Sequence, residues 1–166
     1  METPKGLLAR LSAAGIAFRN VEHKAVFTVA ESESVRDELP GAHSKNLFLA
    51  PAKGEGPYAL AVLEAERKVS VNALARMAGW GKVTMGSAEA LFATLGVTPG
   101  SVTPFGLVNA PPGSVRVVLD AALAQAPDLA WFHPLVNTAS TGLRPADLLR
   151  FLREIGHEVA ILNLEA

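Results

Sequence analysis

Residues 45–65, KNLFLAPAKGEGPYALAVLEA, carry the reading on which the fold turns. KNLFLA (45–50) and YALAVLEA (58–65) are short apolar runs, and PAKGEGP (51–57) between them is built of turn residues. Runs of this length bounded by Pro and Gly read as two strands joined by a loop. Neither run alternates apolar with polar, so both strands are expected in the middle of a sheet.

Working outward from this pair, the chain supplies helices on either side. METPKGLLARLSAAG (1–15) places Leu7, Leu8 and Leu11 on one side of a helix and Lys5 and Arg10 toward water. Thr28-Val29-Ala30-Glu31 fits a capping box, so a short helix is expected to follow and to stop before Pro40-Gly41. Ser70 and Ser87 are candidate N-caps for VNALARMAG and AEALFATLG, which Gly79 and Gly96 would close, with a strand-like KVTM between them. VTPGSVTPFGLVN (97–109) reads as a stiff loop leading into a strand, the kind of segment that presents backbone amides to a ligand. Further strands are expected in PPGSVRVVLDAAL, in LAWFHPLVNTAST with a break at His133-Pro134, and in EVAILNL. The last follows a helix in which Leu148, Phe151, Leu152 and Ile155 recur at helical spacing and Gly156 marks the stop. The expectation is one mixed α+β domain over residues 1–166, with a mixed central sheet of roughly six or seven strands and helices packed against it.

Composition narrows function before any motif does. Nearly half of the 166 residues are hydrophobic (49%), enough for a substantial core in one domain. Fifteen Lys and Arg against sixteen Asp and Glu give no global field to draw in long nucleic acid, so contact with RNA must be local and no DNA partner is expected. The absence of cysteine removes disulfides, thiol nucleophiles and Cys-ligated zinc. No signal-peptide core and no apolar run of about eighteen residues occurs, so no membrane contact and a cytoplasmic location are expected.

The histidines at 23, 43, 133 and 157 have no metal-ligand spacing, so no metal and no other cofactor is expected. A nucleophile elbow, a phosphate-cradling P-loop and a dinucleotide-binding glycine turn are also missing. Lys45 stands where a cleft commonly opens at a strand end, although a snorkelling lysine fits as well. GSVTP (100–104) reads equally as a strand entry, and FHPLVN (132–137) as a buried histidine before a broken strand.

The set HKAVFTVAE, HSKNLFL, GSVTPFGLVN and FHPLVNTAST, in this order from about residue 20 to the C-terminus, resembles the prolyl-tRNA synthetase editing-domain family, in particular its freestanding trans-editing members. The resemblance implies that family's mixed α/β editing fold and hydrolysis of a mischarged aminoacyl-tRNA ester. The branch most resembled removes alanine from proline tRNA, and a sister YbaK-type branch removes cysteine. Lys45 matches the family's essential lysine, Gly100 and Pro104 the ends of its G-x-x-x-P loop, and His133 the histidine of its His-Pro motif.

Each role then follows from chemistry. A synthetase pocket shaped for proline gains only about 1–3 kcal/mol per methylene against alanine, so a second hydrolytic sieve is needed. The ester is already activated, and the protein mainly has to position a water and stabilise an oxyanion. Lys45 is expected on the terminal phosphate or ribose, with Asn46 adding a hydrogen bond, and the amides of Gly100, Ser101, Val102 and Thr103, stiffened by Pro104, on the ester carbonyl. His133 is expected to shape the amino-acid pocket or contact the ribose. Val26, Phe27 and Thr28 are expected on the pocket wall, a role that for Val26 and Phe27 competes with ordinary core. The expected partner is aminoacylated proline tRNA at its 3′ end and acceptor stem, with Lys53, Arg67, Lys68, Arg76 and Lys82 as a modest patch for the stem. Prolyl-tRNA synthetase is a further partner the resemblance admits, and a noncatalytic tRNA-end or synthetase-binding module is the reading from another class.

Overall fold

The computed structural model describes residues 1–25, 29–54 and 56–165, leaving aside the side chains of residues 29–32. In chain order it forms α1 (Pro4–Ala13), β1 (Phe18–Glu22), α2 (Val29–Glu38), β2 (Ala42–Pro51), β3 (Tyr58–Glu64), α3 (Val71–Ala78), β4 (Val83–Met85) and α4 (Ala88–Leu95). A 3₁₀ helix (Pro104–Asn109) follows, then β5 (Val115–Asp120), α5 (Ala121–Ala124), β6 (Ala130–Phe132), β7 (Ala139–Leu143), α6 (Pro145–Glu154) and β8 (Val159–Leu162).

Seven strands run β1-β7-β6-β2-β3-β5-β8 across the sheet, and β4 pairs with β2 beside them. The two apolar runs at 45–50 and 58–65 do lie in the middle, antiparallel, with Lys45 opposite Leu63 and Phe48 opposite Leu60. The sheet is mixed, because β3, β5 and β8 are parallel neighbours while β1, β7 and β6 alternate. Eight strands exceed the six or seven expected, and β1 and α5 are elements not read from the sequence.

Each face of the sheet buries its own core. Phe48, Leu60, Val62, Val117 and Leu119 face one side, covered by Leu7 and Leu11 of α1, Leu91 and Leu95 of α4, Phe105 and Leu107, and Leu148, Phe151 and Leu152 of α6. Leu49, Ala59, Ala61, Leu63 and Val118 face the other, where Leu74 of α3 and Leu164 pack. Ser70 and Ser87 cap α3 and α4 by accepting from Ala73 N–H and Ala90 N–H, and Gly79 and Gly96 close both helices in the left-handed conformation. Thr28 of the expected capping box lies outside the described residues, as does the side chain of Glu31.

The segment after α4 departs from expectation, leading into a 3₁₀ helix rather than a strand. Thr103 Oγ1 accepts from Phe105 N–H at 3.2 Å, and Pro104 occupies a first-turn position where no N–H is needed. Gly106 lets this turn close against α4, since a Cβ there would lie 2.8 Å from Leu95 Cβ. Among the described residues no helix is long and apolar enough to cross a membrane.

Candidate active site

β6 pairs with β2 only at Ala42 and His43, and β4 pairs with the same edge only from Leu49 to Pro51. The interruption comes from the residues that follow β6. Pro134 cannot donate to a ladder, and Leu135 turns the chain away in the left-handed region at φ 70°, a conformation a buried leucine adopts only under tight local constraint. The edge of β2 is therefore vacated just where Lys45 stands. A cavity of about 300 Å³ opens there, lined by Lys45 together with His23, His43, Ser44, His133 and Ser140.

The lysine is half-buried, and its Nζ donates to the backbone carbonyl of Arg67 in the loop after β3. Across the cavity mouth, Arg36 of α2 pairs with Glu66 at 2.8 Å, but Glu66 is 75% exposed and such a pair holds little. His133 Nδ1 meets Ala139 O at 3.2 Å. A carbonyl only accepts, so the proton belongs on Nδ1 and Nε2 is left as the ring's acceptor. Burial pushes the His133 pKa down, the Ala139 bond opposes this, and the nearby His23 adds to the lowering. His133 is thus a neutral imidazole near pH 7.

The residue types around the lysine are polar but already oriented. His43 Nε2 donates to Leu39 O at 2.8 Å, and its ring lies parallel to Trp131 with centroids 6.4 Å apart. Burial lowers its pKa too, against the Leu39 bond. His23 donates from Nδ1 to Lys24 O and accepts from Ser140 Oγ at its Nε2, both at 2.8 Å. Sequence reasoning did not place His23, His43, Ser44 or Ser140 in the site. The usable signal was the quoted motifs themselves, since HKAVFTVAE contains His23 and HSKNLFL contains His43 and Ser44.

Asn46 belongs to the opposite face of β2 from Lys45. Its Nδ2 donates to Ser44 Oγ at 3.3 Å, and its Oδ1 is buried without a hydrogen-bond partner among the described residues. The Gly100–Pro104 loop packs beside the His-Pro motif but does not line the cavity that Lys45 and His133 share. Gly100 has φ 92°, and a Cβ there would lie 3.5 Å from Asn137 Nδ2. Ser101 and Thr103 are buried, Pro104 is buried, and Val102 packs on the larger core. Val26, Phe27 and Thr28 lie outside the described residues.

Of the basic residues expected to form a patch, Arg67 is committed elsewhere. Its guanidinium forks onto the buried carboxylate of Asp120, Nε to Oδ2 at 3.0 Å and Nη2 to Oδ1 at 3.2 Å. Lys68 and Arg76 are exposed, and Lys53 and Lys82 line a separate cavity with Trp80 and Arg116 at the far end of β2.

Comparisons with known proteins identify the family of the chain. The family model for the aminoacyl-tRNA editing domain matches residues 23–151. Prolyl-tRNA synthetase associated domain-containing protein 1 of Bos taurus is 38% identical over 167 residues, spanning 99% of this chain and 96% of that protein. The prolyl-tRNA editing protein ProX of Acetoanaerobium sticklandii is 31% identical over 164 residues, spanning 99% of each. A solved structure described as a candidate trans-editing enzyme for prolyl tRNA synthetase matches with a TM-score of 0.71 at 23% identity, covering 100% of this chain and 99% of that one, a likeness of fold. The chain belongs to the aminoacyl-tRNA editing domain family, and within it to the prolyl-tRNA editing group.

Proposed function

We propose that the protein is a trans-editing deacylase that hydrolyses the ester of alanine mischarged on proline tRNA. The observation that carries the reading is the convergence of Lys45 and His133 on one cavity at the gap in the sheet edge. Lys45 brings the positive charge. An ammonium has three donors, and with one on Arg67 O two remain for the terminal phosphate or ribose of the tRNA. Neutral His133 contributes an acceptor, Nε2, suited to a ribose hydroxyl, and its ring helps bound the amino-acid pocket.

The oxyanion role is proposed for the backbone amides of the Gly100–Pro104 loop, which sits beside the His-Pro motif rather than in the lining of the Lys45 cavity; with Ser101 N–H held by Thr98 O at 3.0 Å, the role falls to Gly100, Val102 and Thr103. Gly100 admits a close approach, and Pro104, fixed at the head of the 3₁₀ helix, keeps the loop stiff. No protein group is assigned as the base; a hydroxyl of the substrate's own ribose takes that role in this account. Asn46, on the other face of β2, acts on the tRNA end through Ser44, whose hydroxyl it holds in the cavity lining, and Val26, Phe27 and Thr28 remain the proposed wall of a small pocket that admits alanine and excludes proline. The partner is the 3′ end and acceptor stem of proline tRNA, Arg67 having no part in stem contact because Asp120 holds it. Prolyl-tRNA synthetase is a candidate protein partner, and the work is assigned to the cytoplasm.

The test is to offer the purified protein alanyl-, cysteinyl- and prolyl-charged proline tRNA. Rapid loss of alanine alone is expected. Loss of cysteine alone would move the protein to the sister specificity, and no loss of any would make it a noncatalytic binding module.

A further inference from the structure

We propose that Arg67 and Asp120 are positioning residues for Lys45, aiming its ammonium into the cavity through the backbone carbonyl of Arg67. This rests on the assignment of Lys45 as the substrate's anchor.

The argument starts from Asp120, the last residue of β5 and the N-cap of α5, whose side chain is 1% exposed. A carboxylate so deeply buried must have its oxygens satisfied. Four donors do so: Glu64 N–H at 3.0 Å and Arg67 Nε at 3.0 Å on Oδ2, Arg67 Nη2 at 3.2 Å and Ala122 N–H at 3.0 Å on Oδ1. Two of these partners, Glu64 and Arg67, bracket the turn that leaves β3, which Arg67 N–H closes onto Glu64 O at 2.9 Å. Asp120 therefore grips both ends of a turn 53 to 56 residues away in sequence.

The product of that grip is the position of one carbonyl. Arg67 O faces β2 and accepts from Lys45 Nζ. Lysine is a flexible stem ending in a point charge, and held only by its own rotamers it would sweep the cavity rather than point into it. A fixed acceptor on one of its three N–H groups defines where the other two are offered. The bidentate fork matters because Arg67 is held by its side chain while it works through its backbone. A lysine at position 67 would supply the charge without the two-point hold.

The test is a double-mutant cycle on deacylation of alanyl-charged proline tRNA, with thermal melts to confirm folding. D120N keeps one oxygen to accept from Ala122 N–H and cap α5, but places an NH₂ where Glu64 N–H and Arg67 Nε donate and gives up the charge that holds the guanidinium. R67A removes the fork while leaving the carbonyl in the chain. Each is expected to lower kcat/KM by roughly tenfold to a hundredfold. In a K45A background, each is expected to change it by less than about twofold, because both act through Lys45. Full additive losses in K45A would assign Arg67 and Asp120 a merely structural role and overturn the proposal; so would a gain in activity, which would mean that the carbonyl sequesters the lysine.

A second readout needs no turnover. In ¹⁵N-lysine NMR, the Lys45 ammonium signal is expected to be slowed in exchange in the wild-type chain and lost or broadened in R67A and D120N. An unchanged signal in both variants would overturn the positioning role even if the protein deacylated nothing. Absent turnover with the expected NMR change would instead sink the substrate assignment and leave the clamp standing.

Discussion

Phe105 and Phe132 meet edge to face, with ring centroids 6.0 Å apart and planes at 85°. Phe105 directly follows Pro104 and Phe132 directly precedes His133, so this contact ties the glycine-proline loop to the His-Pro motif through the core. Phe105 is fully buried, and it also meets Phe151 of α6 at 6.4 Å. F105A should therefore cost about 3–5 kcal/mol, read from urea unfolding. Deacylation measured on the residual folded protein should fall as well; if only stability fell, the two motifs would not depend on this contact for their alignment.

Gly100 tests the loop more finely. At φ 92°, an alanine is strained whatever the space around it, and the nearest atom to a Cβ is at ordinary contact distance. G100A is expected to cost about 1–2 kcal/mol of stability from backbone conformation alone. Its effect on turnover should be larger than that loss explains, assayed where the variant is fully folded. Unchanged turnover would remove the loop amides from the oxyanion role.

The buried histidines predict the response to mild acid. His43 and His133 both have pKa values lowered by burial, below the 6.5 of a free imidazole. On acidification through 6.5 the unfolded chain takes up protons that the folded chain refuses, so stability is fully present above 6.5 and is lost as pH falls from there toward the lower folded values. Urea midpoints at pH 7.5 and 5.5 should show the loss, and H133Q should reduce it. A midpoint that rises on acidification would contradict the neutral assignments.

Asp120 gives the complementary response at lower pH. Burial alone would raise its carboxyl, but the Arg67 fork and the Glu64 and Ala122 N–H groups outweigh it and hold the pKa below the ordinary 3.8. Its stabilisation is present above that ordinary value and is lost as pH falls through the lower folded one. The wild-type chain should lose stability over this range more steeply than D120N, measured by acid titration of the unfolding midpoint. Parallel curves would mean that the carboxylate is not a charged partner of Arg67.

What the sequence disclosed depended on whether the cause was local. The caps at Ser70, Ser87, Gly79 and Gly96 were legible because a hydroxyl and a glycine act within one turn of themselves. The central strands were legible because their apolar runs admit no solvated face. The 3₁₀ helix after Pro104 was misread, since its β-branched neighbours suit a strand and the deciding contacts, such as Gly106 against Leu95, are tertiary. β1, FRNVE, was passed over because an edge strand of five residues draws its identity from β7, more than a hundred residues on. Lys45 read from its neighbours alone was more a bystander than a site. Only the set of motifs raised it, and the structure then added His43, His23 and the Arg67 carbonyl around it.

The central claim meets its most direct test in single-turnover deacylation of alanyl-charged proline tRNA by wild-type protein and K45A, with folding of both checked by melting. The account predicts rapid release of alanine by the wild type and a rate lowered on the order of a hundredfold in K45A. A folded K45A that releases alanine at the wild-type rate would contradict it.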